Sequence, residues 1–211
     1  MDIKYLGHSS FLIKTKTARI VTDPFDPEMV GIKFPKTEAD VVTVSHQHKD
    51  HNQFKNVTGI NGANPLMIDM PGEFEKLGVR IFGFQSFHDK TQGSERGENI
   101  MYKFESEGIS VLHCGDLGVI PDESFLETIG EVDILMVPVG GIYTLDADEA
   151  VSLVKKIEPT IVIPMHYGTN KLAPVSDFTK KFGLDNPTPL PKLIYKKEEI
   201  EQEMKVIVLE I

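Results

Sequence analysis

In the stretch VVTVSHQHKDHN, from Val41 to Asn52, an apolar run leads straight into His46, His48, Asp50 and His51. Four side chains able to bind a metal therefore fall within six residues. Without a ligand, such groups at the end of a strand would repel one another or lose hydrogen-bond partners, so the cluster reads as a metal site. Alternation would put His46 and His48 on one side of the strand end. The turn that follows would bring Asp50 and His51 to an adjacent position, a geometry suited to two metals side by side. Imidazole and carboxylate ligands suit zinc, manganese or iron, whereas closed structural zinc cages favour cysteine. A cluster without cysteine is expected to be catalytic, with a position left for water.

Other chemistries lack support. No G-x-S-x-G elbow, Walker loop or G-x-G-x-x-G is present, which removes serine acyl-enzyme chemistry, that mode of phosphate cradling and dinucleotide binding from consideration. The single cysteine, Cys114, lies in a strand-like run and reads as a small buried hydrophobe rather than a nucleophile.

The elements that must position this cluster are β-rich in the first half. Short runs with strand character cover Asp2 to Leu6, Ser10 to Lys14, Arg19 to Asp23, Val41 to Ser45, Pro65 to Asp69, Val79 to Phe87, Asn99 to Phe104 and Ile109 to His113, separated by turn residues. The nearly all-apolar Asp133 to Pro138 predicts a strand covered on both faces. Asp146 to Ile157 has helical spacing, with Ala147, Ala150, Val151 and Val154 on one face, Asp146 or Asp148 as N-cap and Pro159 as stop. Thr160 to Met165 returns to strand. Val175 to Phe182 predicts a short helix ending at Gly183, before a proline-rich connection and terminal strands. Residues 93 to 99, rich in glycine, read as a mobile loop beside His88. Strands alternating with helices after a mainly β half predict two packed sheets with helices outside, an α/β fold in αββα layers, formed by one domain over residues 1 to 211.

The H-x-H-x-D-H run resembles the signature of the metallo-β-lactamase superfamily. The rest of that pattern follows in order: Asp23 in TDP, His88 in SFHD, Asp116 in HCGDLG and His166 in IPMHYG. The resemblance spans Leu6 to Gly168 and implies the superfamily's four-layer αββα sandwich. Carried over residue by residue, it implies that His46, His48 and His88 bind one metal and Asp50, His51 and His166 the other, with Asp116 bridging. Asp23 would hydrogen-bond within the site without touching metal. Within the superfamily, YLGHSSFLI, HCGDLG and IPMHYG are most similar to the branch of L-ascorbate-6-phosphate lactonase. The chain is shorter than that enzyme, so its substrate is not carried over.

The expected reaction is hydrolysis of an ester, lactone or phosphodiester by a hydroxide shared between two divalent ions, Zn2+ first, with Mn2+ or Fe2+ as alternatives. Asp50 would ligate and orient the hydroxide. The second metal or His8, in the turn after the first strand, would stabilise the expelled group, although a turn role suits His8 equally; His113 carries no assignment. The rivals are a nuclease, an iron-dependent oxidoreductase and a metal-binding module without turnover. Gln47 stands where flavodiiron sites carry Glu, which counts against the oxidoreductase.

A small molecule is the expected partner. A net charge of -10 disfavours nucleic acid without excluding it, and a homo-oligomer is left open. Nowhere do about 18 apolar residues follow one another, so no membrane-spanning helix is expected. The lone cysteine and the absence of a leader-like N-terminus predict a cytoplasmic protein.

Overall fold

The computed structural model describes residues 1–169, 171–197 and 203–211. Two mixed sheets face each other. The first runs, edge to edge, through Leu193–Ile194, Asp2–Gly7, Ser10–Lys14, Arg19–Thr22, Val41–Thr43 and Leu66–Ile68. The second runs through Lys205–Val206, Ile161–Met165, Ile134–Pro138, Ile109–His113, Glu98–Ser106, Val79–Phe87 and Gly72–Lys76. One cluster of buried side chains draws on both, with Ile3, Phe11 and Ile20 from the first sheet and Ile81, Tyr102 and Val111 from the second. This is the α/β sandwich expected.

Burial follows the sequence pattern. Ile134–Pro138 and Ile161–Met165 are parallel neighbours buried at every position, as strands covered on both faces must be. Their outer cover is the helix Ala147–Ile157, which buries Ala150, Leu153 and Val154; Val151 packs against the core from a half-buried position. Asp146 caps this helix by accepting hydrogen bonds from the backbone of Asp148 and Glu149, and Glu149 reaches back to the Asp146 N–H. Glu158, in the left-handed conformation, ends the helix just before Pro159. The expected second helix is a single turn, Ser176–Thr179, continued as a 3-10 turn through Phe182 and closed by Gly183.

On the far side of the first sheet the cover is thin. Val30, from the one-turn helix Pro27–Val30, joins Phe25 and Phe34 over Val21 and Val42. That turn, the helix Glu123–Ile129, the strand Gly72–Lys76 and the small parallel pair Thr37–Ala39 and Val57–Gly59 are additions to the sequence-based reading. The strands lack an apolar run, reading GEFEK, TEA and VTG, and the helices are under two turns long, so neither gave a periodic signal. Among the described residues no helix is long and apolar enough to cross a membrane.

Candidate metal centre

The strands Arg19–Thr22, Val41–Thr43 and Leu66–Ile68 are parallel, as are Ile109–His113, Ile134–Pro138 and Ile161–Met165. Two antiparallel steps bring Asp2–Gly7 and Val79–Phe87 into line with them. All the candidate ligands follow the carboxyl ends of these strands, so both sheets deliver them to one edge of the sandwich. His8, Asp23 and His166 each occupy the left-handed region, with φ of 57°, 39° and 54°. Non-glycine residues seldom adopt it, and their concentration here marks a backbone bent to aim side chains.

Asp116 is at the centre. Its Oδ2 lies 3.2 Å from His51 Nε2, 3.3 Å from His88 Nε2, 3.3 Å from His166 Nε2 and 3.9 Å from His46 Nε2. Its other oxygen accepts a hydrogen bond from Ser9 Oγ at 3.4 Å. Around it the ring nitrogens and carboxylates fall into three overlapping groups of metal-ligand spacing: His46, His48 and His88; His46, Asp50 and His51; and His8, His51 and His166. The first trio is the one the resemblance implies for one metal. For the second position the grouping differs from expectation, because His8 stands with His51 and His166 while Asp50 is grouped with His46 and His51. His8 Nε2 is 3.4 Å from Asp50 Oδ2.

His46 and His48 do come together, their ring centroids 4.6 Å apart, but strand alternation is not the reason. The strand ends at Thr43, and both histidines belong to the bends that follow. What fixes that segment is Asp23, which accepts hydrogen bonds from Ser45 N at 2.7 Å and Ser45 Oγ at 2.6 Å. With the serine proton committed to Asp23, His46 Nδ1, 3.0 Å from Ser45 Oγ, is the donor in that contact, leaving Nε2 as the nitrogen able to bind an ion. His51 repeats the arrangement: Nδ1 faces Asp23 Oδ2 at 3.0 Å and Nε2 faces the centre. Asp23 thus stands behind both imidazoles, touching His51 directly and His46 through Ser45.

Burial sets the electrostatics. It pushes His46 and His166 down to about 3, with His51 adding to the effect on His46. His51 is the exception: burial alone would lower it, but Asp116 and Asp23 hold its proton well above the usual range. Asp116, Asp23 and Asp50 all resist the rise that burial would cause. His166 and His51 hold Asp116 ionised, His51 holds Asp23, and His8 with His51 holds Asp50 below the usual carboxylate range. Both nitrogens of His8 and Nε2 of His46 are buried without a hydrogen-bond partner. Buried lone pairs are costly to leave unused, and divalent cations between these groups would engage them. The donor set therefore fits metal.

Other residues build the site without having stood out in the sequence. Asn99 accepts a hydrogen bond from Asp116 N at 2.9 Å and donates to Cys114 O at 2.9 Å and Ser86 Oγ at 2.8 Å, fixing the turn that presents Asp116. His113 serves the same turn, donating to Ser9 O at 2.7 Å and accepting from Gly115 N at 3.2 Å. Cys114 is fully buried, and burial pushes its thiol up, in keeping with a packing role. The expected mobile loop after His88 is instead organised by one side chain: Asp89 accepts from the backbone N–H of Thr91, Gly93, Glu95 and Arg96 and from the Thr91 hydroxyl. An Asp followed by Thr, Ser and Gly was the available signal.

The Beta-lactamase superfamily domain model matches residues 2–166. Among relatives, a metal-dependent hydrolase of Nanoarchaeum equitans is 27% identical over 95% of this chain and all of its own length. One of Thermococcus onnurineus is 30% identical over 80% of this chain and 85% of its own. A solved structure from Thermotoga maritima, described as a Zn-dependent hydrolase of the metallo-beta-lactamase superfamily, is 39% identical, covers 99% of this chain and 97% of that one, and superposes with a TM-score of 0.80. A metallo hydrolase of Ignicoccus hospitalis, 21% identical with a TM-score of 0.65 over 92% of this chain and 99% of its own, shares the fold. Together with a histidine and aspartate cluster of metal-binding geometry, these matches establish that the chain belongs to the metallo-β-lactamase superfamily, as one of its metal-dependent hydrolases.

Proposed function

We propose that the protein hydrolyses an ester, lactone or phosphodiester bond of a small molecule at a dinuclear centre, acting as a single cytoplasmic domain. The observation that supports this reading is Asp116: one carboxylate oxygen lies within 3.9 Å of four imidazole nitrogens drawn from three separate segments, as a carboxylate shared by two ions would need to. His46, His48 and His88 are assigned to one ion and Asp50, His51 and His166 to the other, zinc being preferred and manganese or iron compatible with the same donors. Bound divalent ions would supply an acidified water and a Lewis acid for the scissile oxygen.

The chain's own groups do the rest. Asp50, held ionised and half-buried at the rim, is the acceptor that orients a water by taking its hydrogen bond. His8, beside it, steadies that carboxylate and is the group assigned to the expelled fragment. Asp23 accepts from His51 Nδ1, and through Ser45 orients His46, so that with ions bound each ring would present Nε2 to the centre. The test is turnover of a phosphodiester, a lactone and an aryl ester by metal-loaded protein. Hydrolysis of at least one, abolished by chelator and reduced at least 100-fold in His48→Ala and Asp50→Asn, is expected; a metal-replete protein inert towards all three would overturn the reading.

A further inference from the structure

The loop organised by Asp89 carries a cation that the hydrolytic scheme leaves unused. Arg96, a half-buried residue, donates its backbone N–H to Asp89 Oδ2 at 2.8 Å, and its guanidinium lies over the Tyr143 ring, 4.7 Å from the centroid. No ion pair engages that guanidinium among the described residues. Arg96 lines a cavity of about 540 Å³ together with His46 and His48. The acidic members of the same lining are Asp69, which accepts from Gln47 Nε2 at 3.3 Å, and Glu98, which is exposed. The volume is that of a small-molecule pocket, and Arg96 shares its lining with two histidines of the metal centre.

Both halves of the Arg96–Tyr143 pair are anchored to the centre itself. His88 N donates to Gly97 O at 3.1 Å, tying the Arg96 loop to a ligand. Leu145 N donates to Leu117 O at 2.9 Å, tying the Tyr143 turn to the segment after Asp116. Gly118 brings the two together, for a Cβ there would sit 2.3 Å from His88 O. Within the turn, Ile142 takes a φ of 59°, rare for a β-branched residue, and is 57% exposed, while Tyr143 is 44% exposed. The turn is closed by Gly141 N donating to Leu145 O at 3.1 Å, and it leaves Tyr143 at the surface beneath Arg96. A guanidinium stacked on an aromatic face keeps its in-plane donors free, and those donors match the paired oxygens of an oxyanion.

We infer that Arg96, seated on Tyr143, is a binding site for a second, anionic group of the substrate, an oxyanion of the carboxylate type held away from the scissile bond. The inference rests on the hydrolase reading, since the other end of the substrate is to meet the metal centre. It makes Arg96 a specificity residue, without contact to the reacting atoms.

Equilibrium binding of linear diacids from malonate to adipate to the metal-loaded full chain tests this without turnover. Each diacid is compared with its own monoamide, which keeps the length and loses one charge, and metal content is measured on the same samples. At least one diacid is expected to bind about tenfold tighter than its monoamide, the scale of a charge-assisted hydrogen-bonded pair. Arg96→Gln should collapse that ratio to within about twofold at undiminished metal content. Arg96→Lys should retain part of it, and Tyr143→Ala should lower it. No diacid preference in the native protein, or a preference that survives Arg96→Gln, would overturn the inference while leaving the hydrolase reading intact. A protein that takes up no metal would remove both.

Discussion

Asp23 Oδ2 and His51 Nδ1 lie 3.0 Å apart with both side chains fully enclosed, so the carboxylate behind this imidazole is one that water does not reach. Removing its charge while keeping its shape, as in Asp23→Asn, should weaken metal binding about 10- to 100-fold with the fold retained. Chelator competition against the native protein measures this directly. An unchanged affinity would mean that Asp23 serves only to cap the strand end.

Asn99 is the next test, because its amide closes three hydrogen bonds around the Asp116 turn. Asn99→Ala leaves Asp116 N and Cys114 O without that partner inside the protein, at a cost of about 1–3 kcal/mol for each group left unsatisfied. Denaturant titration of the metal-free variant should show the loss, and metal affinity should fall with it. Gly115→Ala attacks the same turn from the other side: its φ is 57°, and a Cβ would lie 2.4 Å from Asn99 Oδ1. It should be at least as damaging as the asparagine change.

The Asp89 loop gives a pH signature. Partial burial opposes ionisation of Asp89, but its backbone and hydroxyl donors, Arg96 N–H first, outweigh it and lower the carboxyl from its ordinary range. A carboxyl depressed in the folded state contributes stability that is complete above its unfolded value near 3.9 and is lost as pH falls towards the folded one. The stability difference between the native protein and Asp89→Asn should therefore be constant above about pH 5 and shrink below about pH 4. Acid titrations of both proteins in denaturant would show it; a gap that stays constant into acid would contradict the assignment.

Legibility in the sequence tracked how local each cause is. His46, His48, Asp50 and His51 stand together in the chain, and the long apolar strands and the Asp146-capped helix carry their own periodicity, so these were readable. His88, Asp116 and His166 became readable only through the superfamily pattern, since nothing within their own segments distinguishes a ligand from a strand-end polar residue. Asn99 was absorbed into a glycine-rich stretch because its partners, Asp116 and Cys114, are 17 and 15 residues away. The place of His8 beside His166 depends on which strands meet, with His166 N donating to His8 O at 2.7 Å from one sheet to the other. Pairings of that kind are set by packing of the two sheets and leave no mark in either local sequence.

Metal stoichiometry is the most direct test of the dinuclear centre. Inductively coupled plasma mass spectrometry of protein purified without chelator should find close to two divalent ions per chain, about one in His48→Ala and markedly fewer in Asp116→Ala, because Asp116 is the carboxylate assigned to both. A single equivalent in the native protein, unaltered by Asp116→Ala, would contradict the bridging role on which the account rests.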